Sequence, residues 1–219
     1  YEVLFEEKLD LFVQLLREGP VTWTGTIRPP LDGQPVVPTT EHGLHTWVGV
    51  GGSPESVVRA ARHGLPLMIA IIGGDSVRFR PFVDLYHRAL AEFGHDHLPV
   101  GVHSPGHIAA TDEEAKDQLW PHWQVMRDRL GAERGWGRTS RGEFEQAAGP
   151  GGSLYVGSPS TVAHKIADTV QQLGLQRFDL KYSNGTLPHD LQMQTVELYG
   201  TEVIPAVREL LDSSVPSSV

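Results

Sequence analysis

The run Val48-Gly49-Val50-Gly51-Gly52-Ser53-Pro54-Glu55-Ser56 carries the clearest chemical signal in this 219-residue sequence. A short apolar stretch of strand character runs into two glycines, then a serine, a proline and a glutamate. Serine there caps the free amides of a helix, and proline at the first helical position has its φ preset. Gly51 and Gly52 put no side chain between the backbone and an approaching ligand. Free amides and the helix dipole then favour an anion, to which Ser53 and Ser56 could add hydroxyl donors. A well-capped helix that binds nothing has the same sequence.

Gly157-Ser158-Pro159 repeats the device, but a long irregular segment precedes it, and plain capping accounts for it more readily. Gly73-Gly74 also permits close backbone approach, and is equally what a tight strand-to-helix turn requires. The eleven histidines include the groups His95-Asp96-His97, His103 with His107, and His42 with His45. None forms a helical HExxH or a complete ligand set, so no metal site is expected. There is no GxSxG elbow and no Walker A loop, and Gly49, Gly51 and Gly52 are wrongly spaced for GxGxxG.

These residues need elements to position them. Leu4, Phe5, Leu9, Phe12, Val13 and Leu16 are spaced as on one helix face, ended by Gly19-Pro20. Residues 21–44 read as a loop or short hairpin, with Val21-Thr22-Trp23-Thr24 a possible strand. A strand-helix rhythm follows. Strands are expected at 45–50, 66–72, 98–103 and 178–182. Helices are expected from Pro54 to His63, over 77–93, from Asp112 to about 130, up to 173 and over 188–211, with a short one at 141–148. Pro105-Gly106 reads as a break. Alternation of this kind predicts a parallel sheet with crossover helices. Within the strands, Val48, Val50, Val100, Val102, Phe178, Leu180 and Tyr182 suit a helix-covered face. The other faces hold Gly49, Gly101, His103, Asp179 and Lys181, which suits a polar cavity, because a buried unpaired charge is costly. His103 and Lys181 are the candidate catalytic groups. The plainer alternatives are a satisfied core histidine, and an Asp179 that pairs with Lys181 or another neighbour.

Composition sets outer limits. The formal net charge is −9, hydrophobic content is 39% and charged content 21%, as in an ordinary globular chain. No basic footprint for nucleic acid is present, and an acidic surface repels anionic lipid. The sequence has no cysteine, which excludes thiolate nucleophiles, disulfides and Cys-based zinc sites. The longest apolar run, 65–72, is too short to span a membrane. The amphipathic acidic start does not read as a secretory signal, and a cytoplasmic location is expected. One domain is expected over 1–212, with a frayed Ser- and Pro-rich tail at 213–219. An opening Tyr already in helical pattern suggests that sequence is missing upstream.

The run from Thr46 to Ser56, continued by Ala60-Ala61-Arg62-His63-Gly64-Leu65-Pro66, resembles the luciferase-like flavin monooxygenases. So do Tyr155-Val156-Gly157-Ser158-Pro159, Phe178-Asp179-Leu180-Lys181 and the stretch from His189 to Val207. The opening Phe5 to Leu11 and the segments Trp23-Thr24-Gly25 and Arg28-Pro29-Pro30 also fit in order. The resemblance implies a (β/α)8 TIM barrel, of which this chain would supply strands five to eight only. It is then a fragment, or a half-barrel that pairs with a partner. A lone half would leave strands 45–50 and 178–182 as open edges.

The resemblance further implies FMN as cofactor, or deazaflavin F420 in some branches. Gly51, Gly52, Ser53 and Ser56 would hold the cofactor phosphate, with Gly73 and Gly74 beside it. Reduced flavin activates O2 toward a small organic substrate in such enzymes, while the protein binds, orients and excludes water. Lys181 would stabilise developing negative charge. A flavin reductase is the expected supplier of electrons, and a homo-oligomer the expected assembly. An F420-dependent oxidoreductase and a flavin-binding protein without turnover are the alternatives.

Overall fold

A computed structural model describes residues 2–213. Residues 214–219 of the expected tail lie outside the described residues, and Ser213 is the last residue of the final helix. The first helix, α1, spans Glu2–Leu15, and a small antiparallel pair follows, β1 (Val21–Trp23) with β2 (Leu31–Gln34). Then come β3 (Val48–Val50), α2 (Pro54–Arg62), β4 (Leu67–Ala70), a 3-10 turn (Ser76–Phe79) and α3 (Arg80–Glu92). The second part holds β5 (Val100–Ile108), α4 (Asp112–Arg134), α5 (Arg141–Ala148), β6 (Tyr155–Gly157), α6 (Pro159–Leu173) and β7 (Arg177–Lys181). Helices α7 (His189–Leu198) and α8 (Ile204–Ser213) close the chain, joined by a π turn at Tyr199–Val203.

Strands β3 to β7 form one five-stranded sheet in which every pairing is parallel. The expected α/β architecture is therefore present. Strand β5 is its centre: residues 100–103 pair with β4 on one side, and 101–105 pair with β7 on the other. Residues 106–108 pair with β6. Among the described residues β3 and β7 each bond on one side only, so the sheet is open.

Three sequence expectations need correction. The first strand starts at Val48, not at 45, because its first ladder bond is Val48 N–H to Pro66 O. The third strand does not break at Pro105-Gly106. Pro105 stands opposite Lys181 where β7 ends, and Gly106 begins the pairing with β6. A Cβ at Gly106 would lie 2.4 Å from Tyr155 O, so this glycine marks close strand approach, not a turn. Finally, the four expected strands are joined by a fifth, Tyr155–Gly157, which pairs with residues 106–108 of β5.

One face of the sheet is closed by helices. Val50, Leu67, Ile69, Ile71, Val100 and Val102 are buried against Val57, Ala60 and Ala61 of α2 and Val83, Tyr86 and Leu90 of α3. Each large aliphatic side chain so buried contributes about 1.5–3 kcal/mol. Tyr86, fully buried, keeps its hydroxyl satisfied by donating to Leu65 O at 2.8 Å. Around β6, Ile108, Tyr155, Val162, Ile166 and Val203 form a second core, and Leu119, Trp123, Phe144 and Leu154 a third under α4 and α5.

Candidate functional site

The glycine-serine turn lies where the sequence places it, at the C-terminal end of β3. Gly52 has φ +113°, a left-handed conformation that favours glycine, and this turns the chain into α2. Ser53 caps α2 from an extended conformation, and Pro54 is the first helical residue. The Ser53 hydroxyl accepts from Ser56 N–H at 3.3 Å and donates to Glu55 Oε2 at 2.8 Å. Ser56 Oγ accepts from Arg59 Nη1 at 3.4 Å, which leaves its hydrogen available. Arg59 itself is buried and bridges to Glu2 and to Glu6 of α1. The Glu55 carboxyl is held below its ordinary range by its own backbone amide and by the Ser53 hydroxyl.

Gly73 and Gly74 follow β4 on the same rim, and both are exposed. A methyl group at Gly49, Gly51 or Gly73 would meet no atom within 4 Å. Open backbone, a helix N-terminus and a serine with an unspent hydrogen suit the phosphate end of a nucleotide-like cofactor. Glu55 is the one feature that competes with it.

Below the rim, the uncovered sheet face is set by register. Gly49, Met68, Gly101 and Arg177 stand in one row, and Ala70, His103 and Asp179 in the next. Lys181 follows, opposite Pro105. His103 and Lys181 thus share the face, as expected, but are not neighbours in register. Beside His103 stands Asp179. Asp179 bonds Arg177, Nε to Oδ1 at 2.8 Å, and not Lys181. Lys181 turns its ammonium to Ser183 O at 2.9 Å. The Arg177 guanidinium also lies over the Trp47 ring, 5.3 Å from its centroid. The missing side chain at Gly101 gives Arg177 room: a Cβ there would lie 2.8 Å from Met68 Cε and 3.2 Å from Arg177 Cβ.

The second glycine-serine-proline turn is filled from within. Asp112 of α4 accepts from Ser158 N–H at 2.7 Å and from the Thr161 hydroxyl at 2.9 Å. These bonds, led by the Ser158 amide, hold its carboxyl below the ordinary range. An aspartate in the first turn of α4 looks in sequence like routine complement to that helix's own dipole, so nothing local announces its role.

A cavity of about 690 Å³ lies beside the rim, between the turn after Gly74, the start of α4, the segment 148–151 and α6. Lys165 lines it. In sequence it is only a lysine inside a helix. Among the described residues no three His, Asp or Glu side chains converge as a metal site would require, and no helix is long and apolar enough to cross a membrane.

Residues 3–177 match the luciferase-like monooxygenase family. The chain belongs to that family. Among solved structures it is similar to the monooxygenase RslO1 from Streptomyces bottropensis, with TM-score 0.73 and 20% identity over 92% of this chain and 60% of that one. It is also similar to the oxygenating constituent of 3,6-diketocamphane monooxygenase from Pseudomonas putida, a type II Baeyer-Villiger monooxygenase in complex with FMN. There the TM-score is 0.62 at 20% identity, over 90% of this chain and 61% of that one. A coenzyme F420-dependent tetrahydromethanopterin reductase from Methanopyrus kandleri has TM-score 0.59 at 19% identity, over 92% and 62%. The chain thus spans about three fifths of the length of these structures. No match was found among curated proteins.

Proposed function

We propose that this chain is the phosphate-binding, C-terminal half of a luciferase-like oxidoreductase barrel, working with FMN and O2 as a monooxygenase on a small organic substrate. The observation that carries the reading is the Gly51-Gly52-Ser53 turn. It stands at the C-terminal end of a parallel strand, opens onto unobstructed backbone, and feeds a capped helix.

In this reading Gly51, Gly52, Ser53 and Ser56 hold the cofactor phosphate, and Gly73 and Gly74 let it lie close to the rim. Reduced flavin supplies the electrons that activate O2. The chain's own residues do the rest. The α2 amides and the Ser56 hydroxyl neutralise the phosphate. Arg59, fixed by Glu2 and Glu6, orients Ser56. His103 and Lys181 face the side of the sheet on which substrate would lie, where Lys181 favours developing negative charge. A separate reductase supplies reduced flavin. The likeness to an F420-dependent reductase supports a second reading, in which F420 takes the same place and no O2 is used.

Titration of the chain with FMN, followed by flavin fluorescence, with F420 in parallel, tests both. Ser53→Ala/Ser56→Ala is expected to weaken FMN binding by about tenfold or more, since the unspent Ser56 hydroxyl hydrogen contributes about 1.5 kcal/mol to a charged ligand and Ser53 holds the turn that presents it. Binding that is indifferent to the double substitution sinks the phosphate assignment. Binding of F420 alone selects the second reading.

A further inference from the structure

The sequence contains four lysines, Lys8, Lys116, Lys165 and Lys181. Three are placed as lysines usually are. Lys8 is exposed on α1. Lys116 lies 2.9 Å from Glu145 Oε2, and Lys181 caps Ser183 O. Lys165 is different. It projects from the middle of α6 into the wall of the cavity of about 690 Å³. Its Nζ donates to Gly149 O at 2.6 Å and to Leu154 O at 2.8 Å, and stands 5.0 Å from the centroid of the Tyr155 ring. It enters no ion pair among the described residues, whereas Lys116 does.

Both of its acceptors are neutral carbonyls. A free amine has two N–H bonds and one lone pair, so these two carbonyls engage both N–H bonds and leave the lone pair unspent. The ammonium has a third N–H bond and a full charge with no counter-ion in contact, which a buried setting penalises. A desolvated lysine beside a cavity is the arrangement in which amines act as nucleophiles toward carbonyl carbon.

We propose that Lys165 is a nucleophilic amine that captures small neutral aldehydes from this cavity as Schiff bases. The attacking lone pair forms the C–N bond and the carbonyl π pair moves to oxygen, which takes a proton to give the carbinolamine. Loss of the remaining amine hydrogen with that hydroxyl as water leaves the imine, so one amine and one aldehyde give one imine and one water. No oxidant or reductant is needed.

The surroundings set the class of aldehyde. The cavity that Lys165 lines is also bordered by Asp75 of the turn after β4, Asp112 and Lys116 of α4, and His164 and Asp168 of α6, and the Tyr155 ring of β6 lies by the amine. Lys116 is spent on Glu145, so the unspent charge around the cavity is negative and disfavours anionic carbonyl compounds. Burial pulls Lys165 down to about 8, with Asp75 opposing. The free amine is therefore far more abundant near neutral pH than at an ordinary lysine, whose value is about 10.4.

The test uses the unmodified chain, propionaldehyde and glyoxylate as neutral and anionic probes, cyanoborohydride to trap the imine, and peptide mapping of the four lysines. With propionaldehyde at pH 7.5, Lys165 is expected to label about tenfold faster than Lys8, with a half-maximal rate near the value given by its burial. Glyoxylate should lose that preference, and so should the chain unfolded in urea. Labelling of Lys165 no faster than Lys8 overturns the proposal. So does a preference that survives in urea, because it would then belong to the local sequence and not to the cavity.

Discussion

Asp112, at the start of α4, holds the Ser158 amide at 2.7 Å and so occupies the anion position at the N-terminus of α6. The protein thus has two glycine-serine turns of the same design with different fates. One is closed by a carboxylate from another helix, while the other meets only Glu55 of its own first turn and has open space at Gly51.

Asp112→Ala should therefore destabilise the fold by about 1–2 kcal/mol, since a charge-assisted bond and a hydroxyl bond are lost at a helix end. Asp112→Asn should cost less. The folded carboxyl titrates below its unfolded value, so its contribution is complete above about pH 3.9 and is lost as pH falls through the lower folded value. Urea unfolding midpoints at pH 7 and pH 3 check both statements. Equal stability of wild type and Asp112→Ala at pH 7 would mean that the bridge contributes nothing.

His107 predicts an acid-sensitive limb at higher pH. It is fully buried, accepts from the Thr195 hydroxyl at Nδ1 and donates from Nε2 to Gln118 Oε1, each at 2.8 Å, so the neutral ring is satisfied. Burial pulls its value below the ordinary range. The unfolded chain then binds more protons between the folded value and about 6.5, so stability should be complete above about pH 6.5 and fall below it. His63 and His87, also lowered by burial, add the same sign. Denaturation midpoints at pH 7.5, 6.5 and 5.5 should show the fall, and His107→Gln should make it shallower. An unchanged slope in that variant would remove His107 from the account.

Two glycine substitutions should separate fold from site. A Cβ at Gly152 would lie 2.0 Å from Ala147 O, a backbone atom that cannot swing aside, so Gly152→Ala should cost about 1–3 kcal/mol. At Gly51 a Cβ meets nothing within 4 Å and φ is not in the left-handed region. Gly51→Ala should leave the thermal midpoint within a few degrees yet weaken flavin binding, because in the proposed reading the methyl group stands in the path of the phosphate. Normal flavin affinity in Gly51→Ala would place the phosphate elsewhere.

In the proposed monooxygenase reading, Lys181→Met should lower turnover by about tenfold or more, because the ammonium stabilises negative charge at the reacting centre. Substrate affinity and thermal midpoint should change little, since Lys181 makes one bond to Ser183 O at the end of β7. Single-turnover and thermal-melt measurements read the two effects separately, and unchanged turnover would end that assignment.

The sequence alone determined the succession of elements, because alternating apolar residues, caps and Gly-Pro punctuation are local signals. It also located the Ser53 turn, whose meaning is held in six adjacent residues from Gly51 to Ser56. What it could not decide depends on residues far apart in the chain. Strand β5 continues through Pro105-Gly106 because β7 and then β6 arrive beside it. Asp179 chooses Arg177 because the sheet carries that guanidinium across Gly101 toward Trp47. Ser158 receives Asp112 from 46 positions away, and Lys165 meets Gly149 and Leu154 around a cavity that no single segment encloses. Such neighbours follow from packing, which fixes the partner and the dielectric of each charged group. Only the tertiary structure could therefore show which glycine-serine turn is filled from another helix, and which lysine lines a cavity.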